Sequence, residues 1–213
     1  MMNPPPELGV LLPNGCRVTH GDGASVKSPF EAIPVVMHEL YPGQGPSEAT
    51  PFRGQFGFIP FEAGHRLPRH VHMGDGHMGG GEGTGRHLIA ERILVVGGVA
   101  LVELNGEVLL AAPGTLVHIR PGVPHTWTAC PPGVVLPDGT ASDGRFLMVY
   151  EYSDPTGFFP VEDTAPLSSA ADYQPYSGDL EAIRFPKLNA QEVAERASFV
   201  WNKAVRSDLR ASS

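Results

Sequence analysis

Four residues of this 213-residue chain have the types and the spacing to hold a metal ion. His70 and His72 lie in the run GHRLPRHVH, Glu91 opens ERILVVGG, and His125 ends RPGVPH. Residues two apart on a β-strand share a face, so His70 and His72 project together from one strand. Imidazole nitrogen with carboxylate oxygen suits Fe, Mn, Co, Ni, Cu or Zn, and differs from the thiolate-rich set of structural zinc sites. Four protein ligands on an octahedral ion leave positions open for water, substrate or oxygen, which is a catalytic arrangement.

On these residues the chain resembles a cupin. Gly64, five residues, His70-x-His72, then Glu91, six residues and Gly98 follow the first cupin motif, and Gly114, Gly122 and His125 with the turn PGVPH follow the second. The match spans Gly64 to Ala129. It departs from the family pattern in three places: an insertion separates His72 from Glu91, Arg120 stands where the second motif opens on proline, and Ala129 stands where it closes on asparagine. The resemblance implies an all-β chain with a single double-stranded β-helix, or jelly-roll, barrel. It implies metal ligation by His70, His72, Glu91 and His125. Dioxygenase chemistry is the activity it most favours, with iron(II) as the cofactor and Mn, Ni, Zn or Cu as alternatives, a small organic molecule as substrate, and a homodimer as the assembly. With zinc, manganese or nickel the same ligands suit isomerisation, decarboxylation or elimination, and a non-enzymatic metal- or ligand-binding cupin is the remaining alternative.

The insertion from Met73 to Ala90 lies beside the mouth of such a barrel, and its glycines cost backbone entropy on ordering. It is read as a lid. Within it His77 and His87 are candidates for an acid or base, for a second metal, or for replacing Glu91, against the plainer reading of a solvated loop. GGGEGTG neither follows a strand nor opens a helix, so it does not read as a phosphate loop. Trp127 lies two beyond His125 and offers an aromatic wall on the same face. Tyr150 shares a face with Tyr152, as Arg53 does with Gln55, and a tyrosine or arginine near a metal-bound substrate can stabilise an oxyanion. His87, Tyr150 and Trp127 are therefore the candidate catalytic residues. His20, His38 and His118 are read as surface or satisfied core histidines.

Composition narrows the partners. Fifteen basic against 23 acidic residues give a net charge of -8, and no basic stripe precedes the last helix, which speaks against nucleic acid. A chain of this length buries roughly 70% of its unfolded surface and needs no disulfide to form a core. Cys16 and Cys130 are two thiols far apart, with neither a disulfide framework nor zinc spacing. No stretch approaches the roughly 20 apolar residues of a membrane span, and the N-terminal run has no basic region. A soluble, cytoplasmic protein is expected.

The elements that must position the ligands are short strands. Residues 1–52 read as an N-terminal arm with accessory strands at Arg17–His20 and Val35–Leu40, pairing outside the barrel. The barrel occupies 53–160, from FRGQFGFIPFEAG through ILVVGGVALVELNGEVLLAAPG and TLVHIRPGVPHTWTA to RFLMVYEY, with Asn105-Gly106 as a tight hairpin signal. Strands without intervening helices indicate a barrel or jelly roll, and the single His-x-His pair indicates one barrel. Residues 161–213 form a C-terminal extension: a Pro- and aromatic-rich segment, then a helix capped by Asn189 with Glu192 at its third position. Val193, Ala197, Val200, Trp201 and Ala204 form its apolar face, and Lys203, Arg206 and Arg210 its last turns.

Overall fold

A computed structural model describes residues 9–27, 37–40, 52–75 and 85–212. The strands before the first motif are β1 (Val10–Leu11), β2 (Arg17–Thr19), β3 (Ser25–Lys27), β4 (Met37–Glu39) and β5 (Phe56–Phe61). Then come β6 (His70–Gly74), β7 (His87–Leu88), β8 (Glu91–Gly98), β9 (Ala100–Leu104), β10 (Glu107–Ala111), β11 (Leu116–Ile119) and β12 (His125–Ala129). The chain continues through β13 (Val134–Val135), β14 (Phe146–Tyr152), β15 (Gly157–Pro160) and α1 (Ala190–Arg196). It ends on β16 (Ser198–Trp201), β17 (Ala204–Arg206) and β18 (Arg210–Ala211). Part of the Val35–Leu40 strand expectation, the centre of the expected lid and His77 lie outside the described residues.

Two sheets face each other. One runs β1-β2-β11-β8-β14-β5; the other runs β15-β6-β12-β9-β10-β16-β17, with β7 paired to β6. The sequence reading held β2 apart from the barrel, yet it joins the first sheet by pairing with β11, Val18 opposite Val117. The turn at Asn105-Gly106 forms as its composition demands: both residues have positive φ, 54° and 82°, and β9 and β10 run antiparallel on either side of it.

Side-chain alternation differs between the sheets, and the cause is what covers each outer face. In β8, Ile93 and Val95 are buried while Val96 is exposed, the period-two pattern of a sheet with one wet side. In β9 and β10 nearly every residue is buried. Val102, Leu104 and Leu109 join the barrel interior with Ile93, Trp127 and Phe146. Leu101 and Leu110 face outward into a second core with Phe185, Val193, Phe199 and Leu209. The C-terminal extension thus caps one sheet. The outer face of the other sheet keeps Phe56, Phe58 and Leu147 exposed.

The C-terminal helix is present but shorter than its sequence pattern suggests. Asn189 caps it, its side chain accepting from the Glu192 N–H at 3.0 Å while Glu192 accepts from the Asn189 N–H at 2.8 Å. It stops at Arg196, so Val193 and Ala197 lie at its end while Val200 and Trp201 belong to β16 and Ala204 to β17. The run SFVW is β-branched and aromatic, and it finds the open edge of β10, pairing parallel with Ser198 opposite Leu109. A hairpin turning at Asn202, φ 56°, then returns the chain as β17. Arg206 consequently pairs with Asp208 across a turn rather than closing a helix.

Candidate metal centre

Strand register brings the histidines together from distant parts of the chain. His70 on β6 lies directly opposite His125 on β12, and His72 follows two residues later on the same face. Glu91 opens β8 in the facing sheet, opposite Tyr152 of β14 and Ile119 of β11. The site therefore forms between the sheets, with three imidazoles from one and the carboxylate from the other. All four residues are buried, none more than 3% exposed.

The ligand-capable atoms of His70, His72 and His125 lie within 4.8 Å of one another. Glu91 Oε2 is 3.0 Å from His125 Nε2 and 3.5 Å from His72 Nε2. The other ring nitrogens turn away, onto backbone carbonyls: His70 Nδ1 to Pro68 O at 2.8 Å, His72 Nδ1 to Gly157 O at 3.0 Å, and His125 Nδ1 to Val123 O at 2.9 Å. A carbonyl oxygen only accepts, so each Nδ1 carries the proton, and in the neutral ring each Nε2 presents a lone pair. His72 Nε2, His125 Nε2 and Glu91 Oε2 are buried without a hydrogen-bond partner. Converging lone pairs and a carboxylate, orphaned in a dry place, call for a cation, and nitrogen with oxygen donors is the set that first-row divalent metals accept. The residues present fit such an ion.

Electrostatics around the site agree with a neutral His70 and an ionised acid. Burial, then the neighbouring His125 and His72, hold His70 well below its ordinary value. Burial alone raises Glu91, but His72 and His125 outweigh it and hold the carboxyl below the usual carboxylate range. Burial, with the charge of Glu91 beside it, pushes the Tyr152 hydroxyl up, so it stays protonated. The Tyr152 ring lies 4.5 Å from that of His72.

The candidate catalytic residues occupy three different settings. Trp127 is buried one layer deeper in the barrel, stacked 6.3 Å from Phe146, with its indole N–H unpartnered. Tyr150 packs against the core, its hydroxyl close over Gly57 of the neighbouring strand. Tyr152, not Tyr150, is the tyrosine at Glu91. His87 stands on β7 opposite Gly74, its Nε2 3.0 Å from Asp154 Oδ2, so it forms an imidazole–carboxylate pair rather than joining the triad. Gln55 is spent on a clasp at the surface, its side chain bonded to the backbone of Thr156 in both directions. Among the histidines read as structural, His20 is buried and stacked 4.1 Å from Trp201, while His38 is exposed.

Sequence reading missed two participants. Phe158 sits opposite His72 across β15 and β6; its ring lies 4.7 Å from His70 and 5.2 Å from His72 while remaining 56% exposed, which marks where the buried site meets solvent. Asp154, partner of His87, lies in the same segment. That segment, SDPTGFFP, carries a strand of only four residues, too short for periodicity to reveal.

No family model and no curated protein matches the sequence. Among solved structures it is similar to ChmJ, a 3'-monoepimerase from Streptomyces bikiniensis in complex with dTDP-quinovose, at 14% identity over 84% of this chain and 85% of that one, TM-score 0.44. It is similar to a cupin 2 domain-containing protein from Halorhodospira halophila at 16% identity, 54% of each chain and TM-score 0.31. It is also similar to a salicylate 1,2-dioxygenase from Pseudaminobacter salicylatoxidans at 13% identity over 46% of this chain, TM-score 0.31. The match spans only 20% of the dioxygenase's length. The fold rests on the chain's own strand order: two facing, mostly antiparallel sheets, with His70, His72 and His125 on the inner face of one and Glu91 on the inner face of the other, form an all-β barrel of the cupin type.

Proposed function

We propose that the chain is a metal-dependent enzyme acting on a small organic molecule, and that it is an iron(II) dioxygenase. The observation that carries this reading is the convergence of His72 Nε2, His125 Nε2 and Glu91 Oε2, buried and unpartnered, with every Nδ1 held by a backbone carbonyl. His70, His72, Glu91 and His125 would hold the metal, which when bound supplies open positions where an oxygen-bearing substrate and O2 can meet. The backbone carbonyls of Pro68, Gly157 and Val123 keep the three rings aimed. Tyr152 stays protonated beside Glu91 and steadies the carboxylate. Phe158 at the rim screens the site from water and offers an aromatic face to the substrate.

A second reading is a non-redox isomerase or lyase, and one observation favours it: His87 and Asp154 form a half-buried pair of the kind that moves protons. The homodimer belongs to the same proposal, with the exposed Phe56 and Phe58 on the uncapped sheet as its surface; light scattering of the wild type and of Phe58→Asp tests it.

The test of function is elemental analysis of untagged, chelator-free protein with the His70→Ala and His125→Ala variants. Near-stoichiometric iron, lost in both variants, followed by oxygen uptake with phenolic or diketone substrates, supports the dioxygenase. Zinc, manganese or nickel without oxygen uptake transfers support to the isomerase reading. A folded wild type that takes up no divalent metal overturns both.

A further inference from the structure

A cavity of about 700 Å3 lies where the turn entering His125, the strand entering Glu91 and the segment around residues 166–170 meet, a size ordinary for small-molecule sites. Its polar lining is Asn14, Arg86, His87, Arg120, Ser168 and Ser169, and among the described residues no carboxylate lines it. In a chain of net charge -8 that is an uneven distribution. Among the described residues Arg120 forms no ion pair. Arg86 reaches only Asp75, at 3.6 Å, through an exposed contact worth little in water. Asn14 uses its carbonyl to accept from the Cys16 N–H at 3.0 Å, which leaves its amide nitrogen buried without an acceptor. His87 is tied to Asp154 through Nε2, and its Nδ1 is buried without a partner.

The position of Arg120 is built in. Its side chain lies across Gly15, where a Cβ would come 2.9 Å from Arg120 Cδ and where φ is +81°, a conformation glycine alone adopts without strain. The remaining wall is apolar, from Leu88, Val123 and prolines. Two exposed guanidiniums line this space, Arg120 without an ion pair among the described residues and Arg86 with only its weak one, and beside them the amide nitrogen of Asn14 lacks the partner that buried donors normally have.

We propose that this cavity binds an organic anion: Arg120, Arg86 and Asn14 hold a carboxylate or phosphate group, with Ser168 and Ser169 as further donors, and the apolar wall takes the body of the molecule. Guanidinium groups match both oxyanions in planar, paired hydrogen bonds. The site is separate from the metal ligands and touches them at one point, since Val123 on its wall is the residue whose carbonyl holds His125.

The experiment is calorimetric titration of the full chain, as purified and again after dialysis against chelator, with benzoate, phenyl phosphate and the neutral control benzyl alcohol. Saturable binding of one or both anions, at least tenfold tighter than benzyl alcohol, is expected in both preparations, and the stronger anion identifies the group. Arg120→Gln, at an exposed position that leaves the core intact, should weaken it roughly tenfold or more, the worth of a hydrogen bond to a charged group; Arg86→Gln should weaken it less. Absence of saturable binding, equal binding of benzyl alcohol, or indifference to both substitutions overturns the proposal. Binding that vanishes with the metal and ignores Arg120 also overturns it while leaving the metal centre standing; Arg120-dependent binding in protein that takes up no metal does the reverse.

Discussion

Replacing Arg69 by alanine should destabilise the fold by about 3 kcal/mol. Arg69 precedes His70, and its Nε lies 2.6 Å from Oε1 of Glu103, a buried carboxylate on β9 with 7% of its side chain exposed. At that separation the gross attraction of two unit charges is about 6 kcal/mol for an effective dielectric constant near 20, but desolvation offsets most of it. What decides the effect of truncation is the carboxylate left behind, since stripping one partner from a buried pair costs about 3–5 kcal/mol. The 16% exposure of the Arg69 side chain admits some water and selects the lower end. The variant also loses the bond from Arg69 Nη1 to the Glu162 carbonyl, 2.6 Å long, which ties the C-terminal extension to the barrel. For a chain of this size 1 kcal/mol moves the midpoint by about 2–4 °C, so the expected fall in Tm is about 6–12 °C. Urea titration followed by fluorescence and circular dichroism measures the loss where the two transitions coincide. Arg69→Leu combined with Glu103→Leu should recover most of it by removing the stranded charge. A loss under about 1 kcal/mol in Arg69→Ala, or an equal loss in the double variant, refutes the argument that an unpaired Glu103 is the source.

Further outcomes follow from other sites. Burial, then the charges of Arg92 and Arg17, lower His118 to about 4; the unfolded chain takes its proton first, so stability should fall as pH drops from about 6.5 to 4, with a slope of at most about 1.4 kcal/mol per pH unit. His118→Asn should flatten that slope in pH-dependent urea titrations. Burial raises the Cys16 thiol and pushes the Cys130 thiol up to about 12, and both side chains are inaccessible; a disulfide-exchange reagent should label neither in the native state and both in denaturant. Asn189→Ala removes the cap of α1 and should cost about 1 kcal/mol in chemical denaturation, with no change in metal content because α1 packs on the outer core.

Much of the barrel and of the candidate metal site was legible in the amino-acid sequence because the signals are local. His70 and His72 share a face through strand geometry alone. Asn105-Gly106 accepts the positive φ that a two-residue hairpin needs. The alternation of β8 reports one wet side, and Asn189 with Glu192 marks a helix start. Each of these depends on neighbours within a few residues.

What the tertiary structure alone decided involves partners far along the chain. SFVW reads as the continuation of an apolar helix face until the edge of β10 offers hydrogen bonds to its backbone, and a strand that pairs outweighs a weak helix preference. Tyr152, rather than Tyr150, faces Glu91 because the register of β14 against β8 sets them opposite. Phe158 meets His70 and His72 only through the pairing of β15 with β6. The aim of the three imidazoles comes from carbonyls of Pro68, Val123 and Gly157, the last 85 residues away from its histidine, and the cavity around Arg120 gathers residues from Pro13 to Ala170. Residue types and local spacing named the chemistry available to this chain, while the direction in which each group points was settled by register and packing, which are sums over contacts that no short window of sequence contains.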